Sequence, residues 1–544
     1  MCDDFTSCYQ DLLTGNYDCV DRVAIRAFFS MGHSASGFRY WWRQLYGSDD
    51  TLDDTHLIRL AGRFARRLYA YANANQIPVV HCGRDTNKHE IGEEHLAKNP
   101  DVQGLFLIVV ARAQAPIWQV KRASNGFLQL TRKSPLPYVH HYHFHIQDPD
   151  WGHVTIRMCS HPPFQAMILL NGHEYVASHL KAVGHTFSKE GNCFTKTQDC
   201  SDLALVADTL RQDDAIGRLS QVCERWIYST CVCFALSTEE RERSEFRYEF
   251  SVYQVEYSRN LLFRSPLQME QMVESMLDRS RSRLRIERIK TILGMKHRPH
   301  RQRKRMEVVV EKPAYGLTYF NLHFGQITLK VYTKGEHVLR FEAIIHNTKE
   351  FRCARALTNF SEIACRLLGV LERFINALQA VDRPFISEPD WEAISTPSQV
   401  GKARVGGIDI QKARMRSVLE AVLALAAAPR GFTASELADK VCAYNRQAET
   451  EYGPSKAAYD LRKLRGKQII VKIGKSHRYE TVPEGLRAIA ATLILREQVI
   501  KPVLASISCS KDKPKPDFTK SIDSHYQQLR SEMSSLLGSL GIAA

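Results

Sequence analysis

The chain has 544 residues, of which 44% are hydrophobic and 24% charged, the balance of a globular protein with several cores. No stretch approaches the roughly 18 consecutive apolar residues of a membrane span, and the start lacks signal-peptide features, so we expect a cytoplasmic protein. The net charge of +15 favours a polyanionic partner such as DNA, whereas no motif for a nucleotide cofactor is present.

Residues 1–135 are predicted to form an α/β region. A strand and an aromatic-rich segment precede a basic helix near 55–75, and the acidic pair before that helix is a plausible cap. A short strand follows at 77–81, and an apolar strand at 105–110 is expected to form a hairpin with the segment near Trp118.

Residues 136–300 are predicted to form a mixed α+β region that opens with a histidine-rich strand. Helical periodicity returns at 172–185 and at 201–235, and 265–293 is expected to form a long basic helix or a helix pair. Regularly spaced strands then predict an antiparallel sheet plus a helix for 306–382.

The last third of the chain is predicted to carry a separate module. The proline- and glycine-rich stretch 383–410 predicts a linker, and 506–544 a polar tail. Between them, 411–505 has the element order of a winged helix-turn-helix: three helices, a β-hairpin and a final helix. Thr433 and Glu436 have the spacing of a capping box at the start of the second helix. The sequence therefore predicts an α+β multidomain protein with a C-terminal winged helix-turn-helix.

The third helix of this module is the predicted DNA-recognition element. The side expected to face the core consists of Ala457, Ala458, Leu461 and Leu464. Cations and one aromatic on the opposite side suit a DNA groove, and the hairpin adds further cations. The predicted DNA-binding residues of the module are Lys456, Tyr459, Arg462, Lys463, Lys467, Lys475 and Arg478. A winged helix used for protein contacts, with a merely solvated basic face, is the alternative.

A second basic segment lies between Lys296 and Arg305, where six Lys or Arg and two His occur in ten residues. Such a concentration is typical of a segment that contacts phosphates, and equally of a solvated loop between domains. The cations predicted to contact the DNA backbone are Arg298, Arg301, Arg303, Lys304 and Arg305.

Three histidines alternate along the histidine-rich strand, so His141, His143 and His145 are expected to share one face at about 7 Å spacing. Two histidines around one apolar residue are the form in which nicking endonucleases of the rolling-circle type hold a divalent cation. Such an enzyme also needs a helix-borne tyrosine nucleophile, for which the candidates are Tyr248, Tyr253 and Tyr257. A half-buried strand without a metal is the alternative.

A further group of polar residues lies on two strands predicted to be adjacent. Its members are Tyr332, Lys334, Arg340 and Glu342, which on antiparallel strands can converge. Their pattern is faintly similar to that of replication initiators of plasmids and phages, and Tyr332 and Glu342 are therefore candidate catalytic residues. The alternative is an ordinary cross-strand pairing of Lys or Arg with Glu.

The segment 458–470, together with His477, resembles the winged helix of a widespread, uncharacterised family of bacterial proteins. The resemblance extends to the Asn-Gly-His-Glu-Tyr run 171–175, to the motif 332–342 and to Asn347. It covers most of the chain and implies the architecture, but it implies no established activity.

The charge and the module together predict a DNA-binding protein, and the faint similarity to replication initiators favours plasmid or mobile-element DNA as its partner. Two alternatives stay open. One is a metal-dependent nicking or strand-transfer endonuclease that uses a divalent cation, and the other is a transcriptional regulator.

Overall fold

The computed structural model describes residues 4–83, 85–122, 128–283, 289–293, 306–314, 317–444 and 452–501, with short pieces between 524 and 535. It is a mixed α+β protein, as predicted, and divides into two compact units. Among the described helices none is long and apolar enough to cross a membrane. The basic segment with Arg298, Arg301, Arg303, Lys304 and Arg305 lies outside the described residues, as does most of 506–544.

The first unit comprises Met1–Glu270 and Ile289–Leu371, and its first half ends at a short helix after the eighth strand. In chain order its elements are α1 Asp4–Cys8, β1 Leu13–Phe28, α2 Ala35–Tyr46, α3 Asp54–Ala74, β2 Val79–His81, α4 Lys88–Lys98, β3 Gly104–Gln114, β4 Trp118–Arg122, β5 Leu128–Arg132, β6 Tyr138–Asp148, β7 Gly152–Cys159, β8 Ala166–Asn171 and α5 Gly172–Ala182.

A connecting region and a second half complete this unit. The connection consists of β9 Phe187–Lys189, β10 Phe194–Thr197, α6 Cys200–Asp208, α7 Asp214–Ile227, α8 Cys233–Ala235 and α9 Thr238–Arg243. The second half consists of β11 Glu249–Phe263, α10 Pro266–Arg283, β12 Ile289–Leu293, β13 Met306–Ala314, β14 Leu317–Phe324, β15 Ile327–Lys334, β16 Val338–Ile345 and α11 Phe360–Asp382, of which α10 and α11 run on into the second unit.

Local sequence accounts for the helices that cover the sheet. Asp53 caps α3 by accepting a hydrogen bond from the backbone N–H of His56 at 2.7 Å. Apolar side chains then recur at helical spacing, and Leu57, Phe64 and Leu68 are buried. The predicted helix near 55–75 is confirmed, and its start is determined by the cap.

One twelve-stranded sheet joins both halves, in the order β12-β13-β14-β15-β16-β11-β1-β8-β7-β6-β3-β2. In each half a long strand is followed by helical structure, α2 and α3 in the first half and α10 in the second. A short strand then runs parallel to the next strand (β2 to β3, β12 to β13). An antiparallel meander then returns its last strand, β8 or β16, to the long strand. The sheet is therefore a repeated fold whose two copies meet where β1 pairs with β11.

Three sequence predictions differ from this topology. The sequence divides 1–135, 136–300 and 306–382 into three regions, whereas strands of all three belong to one sheet. Residues 289–293 form strand β12 rather than part of a helix. The strand near Trp118 pairs with β5, whereas β3 pairs with β2 and β6. The first and third differences concern pairing between strands, which local periodicity does not encode, and the second concerns the type of element.

The second unit comprises Gln271–Arg288 and Glu372–Ala544. After α11 its elements are α12 Glu388–Ser395, β17 Ser398–Val400, β18 Ala403–Val405, α13 Ala413–Leu425, α14 Ala434–Tyr444, α15 Pro454–Gly466, β19 Ile470–Lys472, β20 Tyr479–Thr481 and α16 Pro483–Ile494. One hydrophobic core joins them through residues such as Met415, Leu437, Leu461 and Ile489. The capping box is confirmed, because the Thr433 N–H donates to Glu436 at 2.8 Å and the Glu436 N–H donates to Thr433 Oγ1 at 3.2 Å.

The segment 383–410, predicted as a linker, contains helix α12 and the β17–β18 hairpin, and the hairpin packs against α15. One of its glycines, Gly407, permits tight packing rather than an open connection. A Cβ on Gly407 would lie 1.8 Å from the carbonyl oxygen of Ser395, so only glycine allows the chain to pass the end of α12 there. Composition alone does not distinguish these two uses of glycine.

Candidate functional site

The histidine-rich strand is β6, and its two faces have different neighbours. Tyr142 and Phe144 point towards the helices, with Tyr142 5.0 Å from the Phe64 ring and Phe144 6.0 Å from the Phe234 ring. Alternation along the strand therefore places the histidines on the opposite face. These histidines are His141, His143 and His145.

Burial determines the protonation of these histidines. It lowers the pKa of His141 to about 4, of His143 to about 3 and of His145 to about 2, because the charged imidazolium loses hydration inside the protein. Arg157 opposes protonation of His141 and His143, and His153 opposes protonation of His145. All three imidazoles are neutral at pH 7 and can act as hydrogen-bond acceptors or ligands.

Only His145 of the three contacts a group of ligand-type side chains. Its Nδ1 lies 2.9 Å from Nε2 of His153 on β7, and Nδ1 of His153 lies 2.5 Å from Oε1 of Glu93 on α4. His89, one helical turn before Glu93, places Nε2 3.6 Å from the same oxygen. Within the described residues, the side chains that lie close enough to share a metal ion are His89, Glu93 and His153. The predicted set of His141, His143 and His145 is therefore not the group that the fold assembles.

The expected helix-borne tyrosine is not found among the candidates. Tyr253 and Tyr257 lie within strand β11, and Tyr248 immediately precedes it. Tyr248 and Tyr257 are buried, whereas Tyr253 is half-buried under Arg26, whose guanidinium lies 3.9 Å from the ring centre. Four strand spacings separate β6 from β11, about 19 Å at about 4.8 Å each. Tyr253 and His143 are therefore not neighbours.

The second predicted group lies on β15 and β16, which are adjacent and antiparallel. Tyr332 is opposite Arg340, and the guanidinium lies 6.0 Å from the Tyr332 ring. Glu342 pairs with Lys330 at 3.0 Å and lies 3.6 Å from Arg340, and Lys334 donates to the side chain of Asn192. The charges of Arg340 and Glu342 are thus paired within the protein, and Lys334 is held by a neutral amide.

Arg340 connects this group to the first half of the sheet. Its side chain is fully buried and forms an ion pair with the equally buried Asp21 of β1. His173 at the start of α5 lies 2.8 Å from Asp21, and Tyr17 completes the chain at 3.3 Å from His173. Burial alone would raise the pKa of Asp21, but Arg340 and His173 hold it well below its usual value. The cluster therefore joins the two halves through paired charges.

Sequence reasoning missed Asp21, Lys330 and the His89–Glu93–His153 group. The signal for His89 and Glu93 was present, since positions four apart on a helix share a face. The signal for Asp21 was absent, because its partner Arg340 lies far away in the chain.

In the second unit, α15 presents a basic outer face. Lys456, Tyr459, Arg462 and Arg465 are exposed, and Lys475 lies at the exposed tip of the β19–β20 hairpin. The inner face differs from prediction at two positions: Ala458 is exposed, whereas Asp460 is buried.

Asp460 is turned inward by two hydrogen-bond donors. It accepts a hydrogen bond from the Tyr452 hydroxyl at 2.9 Å and another from Arg414 at 3.2 Å. Its negative charge is therefore removed from the surface of α15.

Three of the predicted DNA-binding cations hold the second unit together. Lys463 donates to the Gly407 carbonyl at 3.4 Å and lies 5.1 Å from the Tyr459 ring, and Lys467 donates to the Thr396 carbonyl at 2.5 Å. Arg478 binds both carboxylate oxygens of Glu436 at 3.0 Å together with two backbone carbonyls. These contacts fix the orientation of α15 and of the hairpin.

No family model matches the chain, and no curated protein matches it either. Among solved structures, the di-domain ARO/CYC BexL from the BE-7585A biosynthetic pathway is similar at 10% sequence identity, over 54% of this chain and 92% of that chain, with a TM-score of 0.14. A similarity with so low a TM-score carries no information about the fold or the activity of this chain.

Proposed function

We propose that the chain is a DNA-binding protein in which residues 413–494 act as a winged helix. Three helices, a two-stranded hairpin and a following helix share one core, which is the element order of that module. In this proposal α15 is the recognition helix, and the hairpin is the wing. The resemblance of the sequence to plasmid and phage initiators favours plasmid or mobile-element DNA as the partner.

The proposal rests mainly on the charge of this surface, on which the exposed charged residues of α15 and the hairpin are all positive. The exposed charged residues of α15 and the hairpin are Lys456, Arg462, Arg465, Lys472 and Lys475. The two acids of the segment are engaged elsewhere, since Asp460 is buried and Glu480 pairs with Arg373 at 3.3 Å. Among the described residues of α15 and the hairpin the exposed charges are therefore cations, and a cationic surface attracts phosphates through counterion release.

The residues of this surface have distinct roles in the proposal. Lys456 and Arg462 contact phosphates or the acceptor edge of guanine, for which Arg is well suited. Tyr459, 47% exposed, provides a flat apolar contact with the bases or sugars. Lys463, Lys467 and Arg478 are positioning residues, because their head groups already bind backbone carbonyls or Glu436.

The test is a salt titration of DNA binding by the variant with Lys456→Ala and Arg462→Ala. If each cation contacts one phosphate, the slope of log affinity against log salt falls by about 0.9 per contact. The matched control replaces Lys412 and Lys501, which lie outside α15 and the hairpin, by alanine. Unchanged affinity and slope in the first variant would contradict the proposal, as would an equal loss in the control.

The two alternatives make different predictions in the same preparation. A nicking or strand-transfer enzyme relaxes supercoiled plasmid in the presence of Mg²⁺ or Mn²⁺, and His143→Ala with His145→Ala abolishes the relaxation. A transcriptional regulator binds without cutting and prefers one sequence. The basic segment with Arg298, Arg301, Arg303, Lys304 and Arg305 stays a predicted contact with the DNA backbone.

A further inference from the structure

We propose that His89, Glu93 and His153 form a binding site for a divalent transition-metal cation, of which Zn²⁺ is the representative. One potential ligand atom from each side chain lies within 4.8 Å of the others. Two imidazole nitrogens and one carboxylate oxygen are a donor set that Zn²⁺ accepts readily, whereas Mg²⁺ and Ca²⁺ prefer oxygen alone. The site is independent of the proposed DNA-binding surface, which lies in the other unit.

The two distances from Glu93 to the histidine nitrogens lie on either side of the separation that a tetrahedral ion requires. Zinc–ligand bonds of about 2.0–2.1 Å place neighbouring ligand atoms about 3.3 Å apart. His89 Nε2 and Glu93 Oε1 are 3.6 Å apart, and His153 Nδ1 and Glu93 Oε1 are 2.5 Å apart. A small rotation of the exposed Glu93 side chain is enough to open the second distance.

A third histidine, His145, supports the site from the sheet side. When Nδ1 of His153 binds the metal, its Nε2–H donates to Nδ1 of His145, which lies 2.9 Å away. Such an outer hydrogen bond fixes the ring orientation and the tautomer of a ligating histidine. His145 is fully buried, so it is a positioning residue and not a ligand.

The scaffold brings the helix unusually close to the sheet at this point. His89 and Glu93 are one turn apart on α4 and therefore face the same way. Between them, Gly92 lies directly against the histidines, and a Cβ there would come within 2.5 Å of His145 Nδ1 and 2.8 Å of His153 Cε1. The absence of a side chain at residue 92 thus allows α4 to deliver its ligands to His153.

The site is accessible and coordinatively incomplete. His89 and Glu93 are exposed while His153 is buried, so a cation enters from solvent and meets a fixed ligand. Three protein ligands leave a fourth tetrahedral position for water, the arrangement of catalytic rather than structural zinc sites. The chemical class of ligand is therefore a borderline-soft divalent cation with one exchangeable water.

The test measures metal binding directly, without DNA. The full chain is loaded with Zn²⁺, dialysed, and its zinc content is determined by mass spectrometry; in parallel, Co²⁺ is added and its visible absorption is recorded. We expect about one zinc ion per chain and a tetrahedral cobalt spectrum for the wild type. In His89→Ala and in Glu93→Gln we expect at least a tenfold loss of zinc affinity.

The matched control is Glu94→Gln. Glu94 is exposed like Glu93 and adjacent to it, but its side chain projects about 100° further round the helix. It should retain the zinc and the cobalt spectrum. Zinc content in the wild type no higher than in Glu93→Gln, or equal affinity in His89→Ala and the wild type, would overturn the proposal. Because both replaced ligands are exposed, unchanged melting temperatures without metal show that the variants are folded.

Discussion

The two halves of the twelve-stranded sheet share a topology but differ in the chemistry of equivalent strands. In the first half His145 of β6 is opposite Thr155, and in the second half His323 of β14 is opposite Thr328. His323 lies 3.0 Å from the Thr328 hydroxyl, which in turn lies 2.9 Å from His346. His145 instead contacts His153 and, through it, a carboxylate. A histidine on the equivalent strand thus belongs to a closed hydrogen-bond chain in one copy and adjoins an accessible ligand group in the other.

The two halves are also joined by a mostly buried group of charges, called the seam below, which consists of Asp21 on β1, Lys330 on β15, and Arg340 and Glu342 on β16. It shows a third pattern. There the charges of Asp21, Arg340, Glu342 and Lys330 neutralise one another, and the first three are buried. The two halves therefore share the same arrangement of strands. The helices and loops around the strands determine whether a polar residue is buried in a hydrogen-bond chain, paired with an opposite charge or exposed to solvent.

The largest expected effect comes from breaking the seam. Asp21→Asn leaves the buried guanidinium of Arg340 without its main counter-charge, and we expect the free energy of unfolding to fall by about 3–5 kcal/mol. The measurement is urea denaturation at pH 7. Glu362→Gln, which removes the exposed partner of Arg366, is the control and should cost about 0–1 kcal/mol. A similar loss in both variants would mean that the seam contributes no more than a surface pair.

The same pair predicts how stability responds to acid. Because the pKa of Asp21 is depressed in the folded state, the unfolded chain takes up a proton first. The contribution of Asp21 is therefore complete above its ordinary pKa of about 3.9 and is lost as the pH falls below that value. This part of the pH dependence should be missing in Asp21→Asn.

The next prediction concerns the close approach of α4 to the histidines of the first half, for which the second half has no counterpart among the described residues. Gly92→Ala should push α4 away from His145 and His153 and lower the zinc affinity at least tenfold. Gly62→Ala is the matched control, since Gly62 is also helical and a Cβ there would meet only Arg66 at 3.6 Å. That control should keep the zinc and raise stability by about 0.5–1 kcal/mol. Full zinc affinity in Gly92→Ala would show that the approach of α4 is not required.

A smaller effect concerns the neutral histidines of the first half. The pKa of His143 is lowered by burial to about 3, so below about pH 6.5 the unfolded chain binds a proton that the folded chain does not. The free energy of unfolding should decrease as the pH falls from about 6.5 to about 3, by at most about 1.4 kcal/mol per pH unit for this residue. His143→Gln should reduce this slope, measured by urea denaturation between pH 7 and pH 5. His477→Gln, at an exposed histidine of the second unit, is the control.

The smallest effect compares two equivalent caps. After the last strand of each half, an asparagine accepts a hydrogen bond from the backbone N–H two residues on: Asn171 from His173 at 3.0 Å, and Asn347 from Lys349 at 3.1 Å. Asn171→Ala should cost about 1 kcal/mol, because α5 has 11 residues. Asn347→Ala should cost about half as much, because only one short turn follows. Equal losses in urea denaturation would contradict the distinction.

The sequence predicts the local elements well. The Asp53 cap, the Thr433–Glu436 capping box and the apolar periodicity of α3 and α15 act within a few residues, so they can be read from the chain directly. The same holds for the strands β13 to β16, whose alternating pattern and short turns define an antiparallel set.

What sequence reasoning does not supply is the choice of distant partners. From the sequence, Arg478 is predicted to be an exposed cation of the hairpin, but in the fold it binds Glu436. Nothing in the sequence near His153 indicates that it lies beside His89 and Glu93 of α4. Backbone carbonyls also act as acceptors, as those of Thr396 and Gly407 do. Because every residue has a carbonyl, the sequence does not show which of them accepts a hydrogen bond from a side chain. These contacts depend on tertiary structure, and the candidate sites depend on these contacts.

The seam also has a consequence for how the chain is made. Ser258 of β11 donates to Asp21 of β1 across 237 residues of sequence. At about 5–20 residues per second, the ribosome needs about 12–50 s to add β11 after β1 has been synthesised. During that interval β1 cannot pair with β11. Its unpaired backbone N–H and C=O groups on that side can form hydrogen bonds with a strand of another chain. The first half therefore exposes one unpaired strand edge until the second half has been synthesised.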